Sequence, residues 1–213
     1  MYQPPHFRED RLEVQHGFIR SHPLGLLVTS GRSGLMANSI PFLLDEAASP
    51  QGTLKVHLAR ANPQWQDVEP GAEVLAVFRG PDAYVTPSWY ETKRETGKVV
   101  PTWNYAMVQA YGRITVFDDP AWILDQVKAL TTRHEASLPT PWAVSDAPEA
   151  FVNAQLKGIV GIAIEITRIE GKWKVSQNRP EADRQGVSAG LRGQADAGSQ
   201  AMAELVDARG AKS

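Results

Sequence analysis

Apolar residues change their spacing several times along the chain, and each change predicts an element. Leu12, His16 and Ile19 fall at helical spacing with Phe18 beside them, so residues 9–21 read as a short helix that Pro23 stops. The compact run Leu24–Ser30 reads as a strand, Gly31-Arg32-Ser33-Gly34 as a turn, and Leu35–Leu44 as the returning strand of a hairpin. Leu54, Val56 and Leu58 alternate with Lys55, His57 and Ala59, which predicts a strand with one face in the core and His57 on the other. Val74–Phe78 and Ala83–Thr86 read as two further strands. Val108–Phe117 reads as a long one with Val108, Ala110, Ile114 and Val116 on a shared face.

Asp119 followed by Pro120 has the form of an N-cap and a first-turn proline, and Ile123, Val127 and Leu130 carry that helix to about residue 136. A second helix follows Pro148 and stops near Gly158. Val160, Ile162, Ile164 and Ile166 then alternate with Gly161, Ala163, Glu165 and Thr167, the mark of a half-buried strand. Six or so mainly antiparallel strands with flanking helices predict an α+β protein built on a closed β-barrel. Beyond Pro180 the chain is rich in Ala, Gly, Gln and Asp, with Leu191, Met202, Leu205 and Val206 its sizeable apolar residues. The expected organisation is a barrel domain over residues 1–180 and a helical extension with a frayed tail over 181–213.

Composition narrows the chemistry. The 213 residues carry 22 basic against 24 acidic side chains, a net charge of −2, so nothing global draws the chain to nucleic acid or to an anionic membrane. With no cysteine, disulfides, thiolate metal sites and cysteine nucleophiles are excluded, and redox chemistry must belong to a cofactor. The N-terminal residues lack the basic-then-apolar pattern of a signal peptide, and Ile159–Ile164, the most apolar stretch, is far shorter than the roughly 20 residues of a membrane span. A cytoplasmic protein without a membrane anchor is expected.

Three segments carry candidate chemistry. Arg60, in His57-Leu58-Ala59-Arg60-Ala61-Asn62-Pro63, stands at a strand end where its fork can hold a phosphate, although a lone arginine there is more often a surface residue. The clusters Thr86-Pro87-Ser88-Trp89-Tyr90 and Pro101-Thr102-Trp103-Asn104-Tyr105 offer faces and donors for a flat heteroaromatic ligand, and suit a dimer interface equally well. The basic and polar run from Gly171 to Pro180 either closes a pocket with Lys174, Gln177 and Asn178 or is an exposed exit from the sheet. No Gly-rich phosphate loop, nucleophile elbow or helix with metal-spaced histidines is present.

Together these segments resemble a known family. Tyr2 and Pro4, Ala37-Asn38-Ser39-Ile40-Pro41-Phe42, the His57–Pro63 segment, Ser88-Trp89-Tyr90, Val100-Pro101-Thr102-Trp103-Asn104-Tyr105 and Ser176-Gln177-Asn178-Arg179 are similar, in this order, to the PaiB family of FMN-binding negative transcriptional regulators, over residues 1 to about 192. The resemblance implies a split β-barrel of the pyridoxamine-phosphate-oxidase kind, with FMN at a two-fold homodimer interface. It implies Arg60 on the phosphate, aided by Lys174 or a nearby hydroxyl. Asn38, Ser39, His57 and Ala59 would line the ribityl chain and ring, with Asn62 beside them. Ser88, Trp89, Thr102, Trp103 and Asn104 would complete the pocket, and Gln177 would help close it. The family's regulatory role lacks a local footprint here, since no helix-turn-helix or basic helix face marks a DNA reader. Two alternatives remain open: an FMN-dependent oxidoreductase such as a flavin reductase, and a haem-binding split barrel in which His57 is the residue to watch.

Overall fold

The computed structural model describes residues 1–210, with eight strands and seven α-helices among them. The strands are β1 (Arg8–Glu9), β2 (Leu24–Gly31), β3 (Gly34–Pro41), β4 (Leu43–Asp45), β5 (Thr53–Ala59), β6 (Glu73–Val85), β7 (Thr102–Phe117) and β8 (Ile159–Lys174). They form one sheet in the order β3-β2-β6-β7-β8-β5-β4, with β1 paired to β8. The helices are α1 (Leu12–Ser21), α2 (Gln64–Asp67), α3 (Glu91–Thr96), α4 (Pro120–Glu135), α5 (Glu149–Leu156), α6 (Glu181–Arg192) and α7 (Ala197–Gly210). No described helix is long and apolar enough to cross a membrane.

The chain divides into two compact units. The first comprises residues 1–15, 79–108 and 170 onward, and the second residues 16–78 and 109–169. The expected boundary at residue 180 coincides with neither, because α6 and α7 belong to the same unit as the N-terminus.

In the second unit, β2 pairs antiparallel with β3 from Leu24↔Pro41 to Gly31↔Gly34, and β5 pairs antiparallel with β8 from Thr53↔Glu165 to Ala59↔Ile159. Leu27, Leu54, Val56, Phe78, Ile162 and Ile164 are fully buried there, each worth about 1.5–3 kcal/mol over an exposed side chain. Gly25 is fixed by this packing, since a Cβ at that position would lie 2.8 Å from the Phe78 ring. Asp119 caps α4 as its sequence predicts, accepting from the N–H groups of Ala121 at 3.1 Å and Trp122 at 3.3 Å.

In the first unit, Val85, Tyr90, Val175, Val187, Leu191, Met202 and Val206 form the buried core. The C-terminal helices that read as weak are thus packed through their few apolar residues. Glu9 is buried and held by Arg11 and by Arg209 of α7, at 2.6 and 2.7 Å, which ties that helix to the N-terminal strand.

Three expectations need correction. The helix of residues 9–21 begins at Leu12, because Arg8 and Glu9 pair with Lys172 and Gly171. Val74–Phe78 and Ala83–Thr86 are one strand, β6, which runs through Gly80-Pro81 without a break. The last two strands are longer than their apolar patterns: β7 starts at Thr102 rather than Val108, and β8 continues through Gly171-Lys172-Trp173-Lys174.

Candidate functional site

Six of the thirteen candidate residues lie in the second unit. Asn38 of β3 donates to Gln64 Oε1 at 2.9 Å, and the fully buried Gln64 donates in turn to Leu27 O at 3.1 Å and Thr29 Oγ1 at 3.2 Å. Ser39 is exposed, opposite Leu26. His57 is on the side of β5 away from Val56 and Leu58, as its alternation predicts, where Nδ1 meets Gln126 Oε1 of α4 at 2.8 Å. Ala59 ends the strand, and Asn62 closes the following turn by donating its N–H to Ala59 O at 2.9 Å while its side chain accepts from Gln64 N at 3.0 Å.

Arg60 is more constrained than its position at a strand end suggests. Its Nε donates to Lys157 O at 2.8 Å, Nη1 to Asp118 at 3.0 Å, and Nη2 to Asp118 at 2.5 Å and Ile159 O at 3.1 Å. The hydrogen bonds from Arg60 hold the Asp118 carboxyl below the usual carboxylate range. Both partners are solvent-accessible, so water and salt screen the pair. A cleft of about 640 Å³ opens beside them, lined by Arg60, Asp118, Asn153 and Lys157 among others.

The other seven lie in the first unit. Ser88 and Trp89 form a single 3₁₀ turn whose preceding Thr86 accepts from Ser88 N at 3.3 Å, and Lys93 donates to Ser88 Oγ at 3.2 Å. The Trp89 ring is seated on α6, where Gly186 and Gly190 leave a notch one turn apart. A Cβ on Gly190 would come within 2.3 Å of that ring, and one on Gly186 within 1.9 Å of Trp89 O. Trp89 is therefore committed to packing. Trp103 is the opposite case, 54% exposed and meeting Tyr84 edge-on at 6.0 Å. A cleft of about 560 Å³ is lined by Trp103, Tyr105, Met107, Arg79 and Asp82 with neighbouring backbone.

Asn104 is fully buried and bonded to Ser176 Oγ at 2.9 Å. Ser176 holds φ at 67°, a left-handed conformation that costs a non-glycine residue energy and is retained where the surroundings dictate it. Gln177 turns back on its own backbone, accepting from Val175 N at 2.7 Å and donating to Trp173 O at 2.5 Å. Lys174 Nζ donates to Thr102 Oγ1 and Trp103 O, each at 2.5 Å. Burial first, then the neighbouring charges of Lys172 and Arg179, push the Lys174 ammonium below its ordinary pKa. Lys172 was not among the sequence candidates. The usable signal is its spacing, because two positions apart on a strand places it on the same face as Lys174.

These side chains suit a flavin nucleotide, which asks for aromatic faces, amide and hydroxyl donors, and a cation for its phosphate. In the first unit Trp103 keeps an open indole, and in the second Ser39 offers a hydroxyl and Arg60 a guanidinium. A bound flavin supplies hydride and electron transfer that no cysteine-free protein side chain provides.

Comparison with known proteins agrees. Residues 1–168 match the family described as "Putative FMN-binding domain". An uncharacterized protein of Emericella nidulans is 36% identical over 99% of this chain and 98% of its own length. The "Protease synthase and sporulation protein PAI 2" of Bacillus subtilis is 29% identical over 97% of each chain. Among solved structures, a conserved hypothetical protein from Mycobacterium tuberculosis superposes with a TM-score of 0.58 at 14% identity, covering 85% of this chain and 95% of that one, which speaks to the fold alone. These matches lead to one conclusion: the chain belongs to the family of putative FMN-binding domains, PaiB-like in type, and its cofactor is FMN.

Proposed function

We propose that this protein is an FMN-bearing homodimer with a regulatory role of the PAI 2 kind, exerted through its flavin and not through a DNA-reading element. The observation that carries the reading is the length of the match. PAI 2 and this chain cover 97% of one another. Charge argues against a DNA reader. In α4, Lys128, Arg133 and His134 are offset by Asp125 and Glu135, and the whole chain carries −2.

Support for a homodimer comes from the hairpin of the second unit. Leu24, Leu26 and Val28 on β2, and Leu35, Ala37 and Pro41 on β3, point away from the core on one sheet face, and Leu24 and Leu35 are well exposed. An apolar face of this kind on a soluble domain marks an association surface. In this reading Arg60 takes the FMN phosphate by exchange with Asp118.

Purification without added cofactor, a visible spectrum and an FMN titration by fluorescence quenching test the flavin. Arg60→Ala is expected to weaken FMN by about tenfold. Light scattering tests the dimer. For the regulatory role, wild type and Arg60→Ala are expressed in a host lacking its own copy, and transcripts are compared. Identical transcript profiles would show that regulation does not pass through the flavin. A salt-sensitive shift of promoter DNA by the purified protein would overturn the indirect route. The cleft at Trp103, Tyr105 and Met107 favours a second reading, an FMN-dependent oxidoreductase, for which turnover of a reduced nicotinamide by the yellow protein is the deciding observation.

A further inference from the structure

Among the described residues of the first unit, Lys172, Lys174 and Arg179 are cations with no acid to answer them. Lys172 is 7% exposed, and among the described residues neither it, nor Lys174, nor Arg179 has a carboxylate within ion-pair distance. The acids nearest in strand register are engaged elsewhere. Glu170, two residues before Lys172 on the same face, is bonded to the Met1 amino group, and Glu9, opposite Gly171, is held by Arg11 and Arg209. Lys172 Nζ instead lies 5.5 Å from the centre of the Tyr2 ring and 5.3 Å from that of Tyr105, and Lys174 Nζ 5.9 Å from that of Phe7. Aromatic faces recover only part of what an ammonium loses on leaving water.

Arg179 reaches this region through the strained bend. Ser176 in its left-handed conformation turns the chain, Arg179 N–H donates to Ser176 O at 2.9 Å, and the guanidinium lies 4.6 Å from the centre of the Tyr90 ring. Strain of this sort, next to a buried unpaired charge, is more characteristic of a binding site than of a structural turn.

We propose that Lys172, Lys174 and Arg179, with the Thr102 hydroxyl, form an anion subsite that takes the carboxylate or phosphate of a small molecule other than FMN, its body lying against Tyr2, Phe7 and Tyr105. Burial and the neighbouring cations depress the Lys174 pKa, and a bound anion offsets the repulsion among those cations.

Thermal melts of the full-length protein, flavin-free and FMN-loaded, in inorganic phosphate or benzoate against chloride of equal ionic strength, read the subsite. The expected result is a saturable rise in Tm with either probe. Lys172→Met shifts its midpoint about tenfold higher, and Lys172→Arg restores it, as loss and return of one charge-assisted contact require. The FMN affinity of Lys172→Met stays within about twofold of wild type, since Arg60 makes the phosphate contact. If Lys172→Met does not fold, Lys174→Met is read on riboflavin-loaded protein, where no flavin phosphate intervenes. Absence of any probe effect beyond that of chloride overturns the subsite. So does a Lys172→Met protein that loses FMN about tenfold while keeping riboflavin, because the cluster would then belong to the flavin's own phosphate. A wild type that takes up no flavin defeats the FMN reading while the flavin-free melts still decide this one.

Discussion

The two units handle positive charge in different ways. In the second unit the cations with structural work have acids beside them: Arg60 has Asp118, Lys55 has Asp45 at 2.7 Å, and Arg20 has Glu46. In the first unit Arg11 and Arg209 share the buried Glu9, but among the described residues Lys172, Lys174 and Arg179 have no such partner. A cation matched within the fold contributes to folding, whereas a buried unmatched one costs stability until something outside the chain answers it. Charge pairing thus marks the Lys172 cluster off from the paired cations where residue type does not, since both kinds of group are Lys and Arg.

The comparison is broken most directly at Glu9. Burial raises its pKa, but side-chain and backbone hydrogen bonds from Arg11 and contact with Arg209 outweigh that and lower it from 4.5 to about 2. A carboxyl depressed on folding contributes its stability fully above pH 4.5 and loses it as pH falls toward 2. Glu9→Ala, which leaves two arginines unanswered, is expected to cost about 3 kcal/mol at neutral pH by denaturant melts, and to flatten the acid limb of the stability profile. An unchanged acid limb would remove Glu9 from the scaffold.

A smaller effect is expected where a matched cation doubles as a ligand. Arg60→Ala should raise the Kd for FMN about tenfold with little change in Tm. Asp118→Asn should move the same Kd the other way, by about threefold, because it frees a fork that otherwise spends time paired. If Asp118→Asn weakens FMN instead, the pair is part of the site and not a resting arrangement. The least effect belongs to Asp45→Asn, whose half-exposed bridge to Lys55 is worth about 0.5 kcal/mol and whose loss should leave FMN affinity alone.

Local signals were legible and distant ones were not. The Asp119-Pro120 cap, the β2–β3 hairpin and the position of His57 on β5 follow from neighbours in sequence, and each is where its pattern puts it. The continuity of β6 through Gly80-Pro81 was hidden, because Gly and Pro usually punctuate and only the partner strands reveal that they do not here. The end of β8 was hidden for another reason: Gly171, Lys172 and Trp173 are all buried, so polar and apolar positions no longer alternate with exposure. The residues of the candidate site were legible through ordered motifs, but their states were not. Asp118 on Arg60 spans 58 positions, and the Asn104–Ser176 bond spans 72.

The seat of Trp89 on α6 has a consequence for descent rather than for energy. Gly186, Gly190 and Trp89 are tied by two contacts closer than any Cβ tolerates, across roughly a hundred positions of chain. Drift at Gly190 or at the indole is then permitted only through a paired change at the other, whereas Gly186 faces the Trp89 carbonyl whatever side chain stands at 89. Lineages that replace the indole with a smaller residue should be the ones in which alanine or serine has entered the helix at 190.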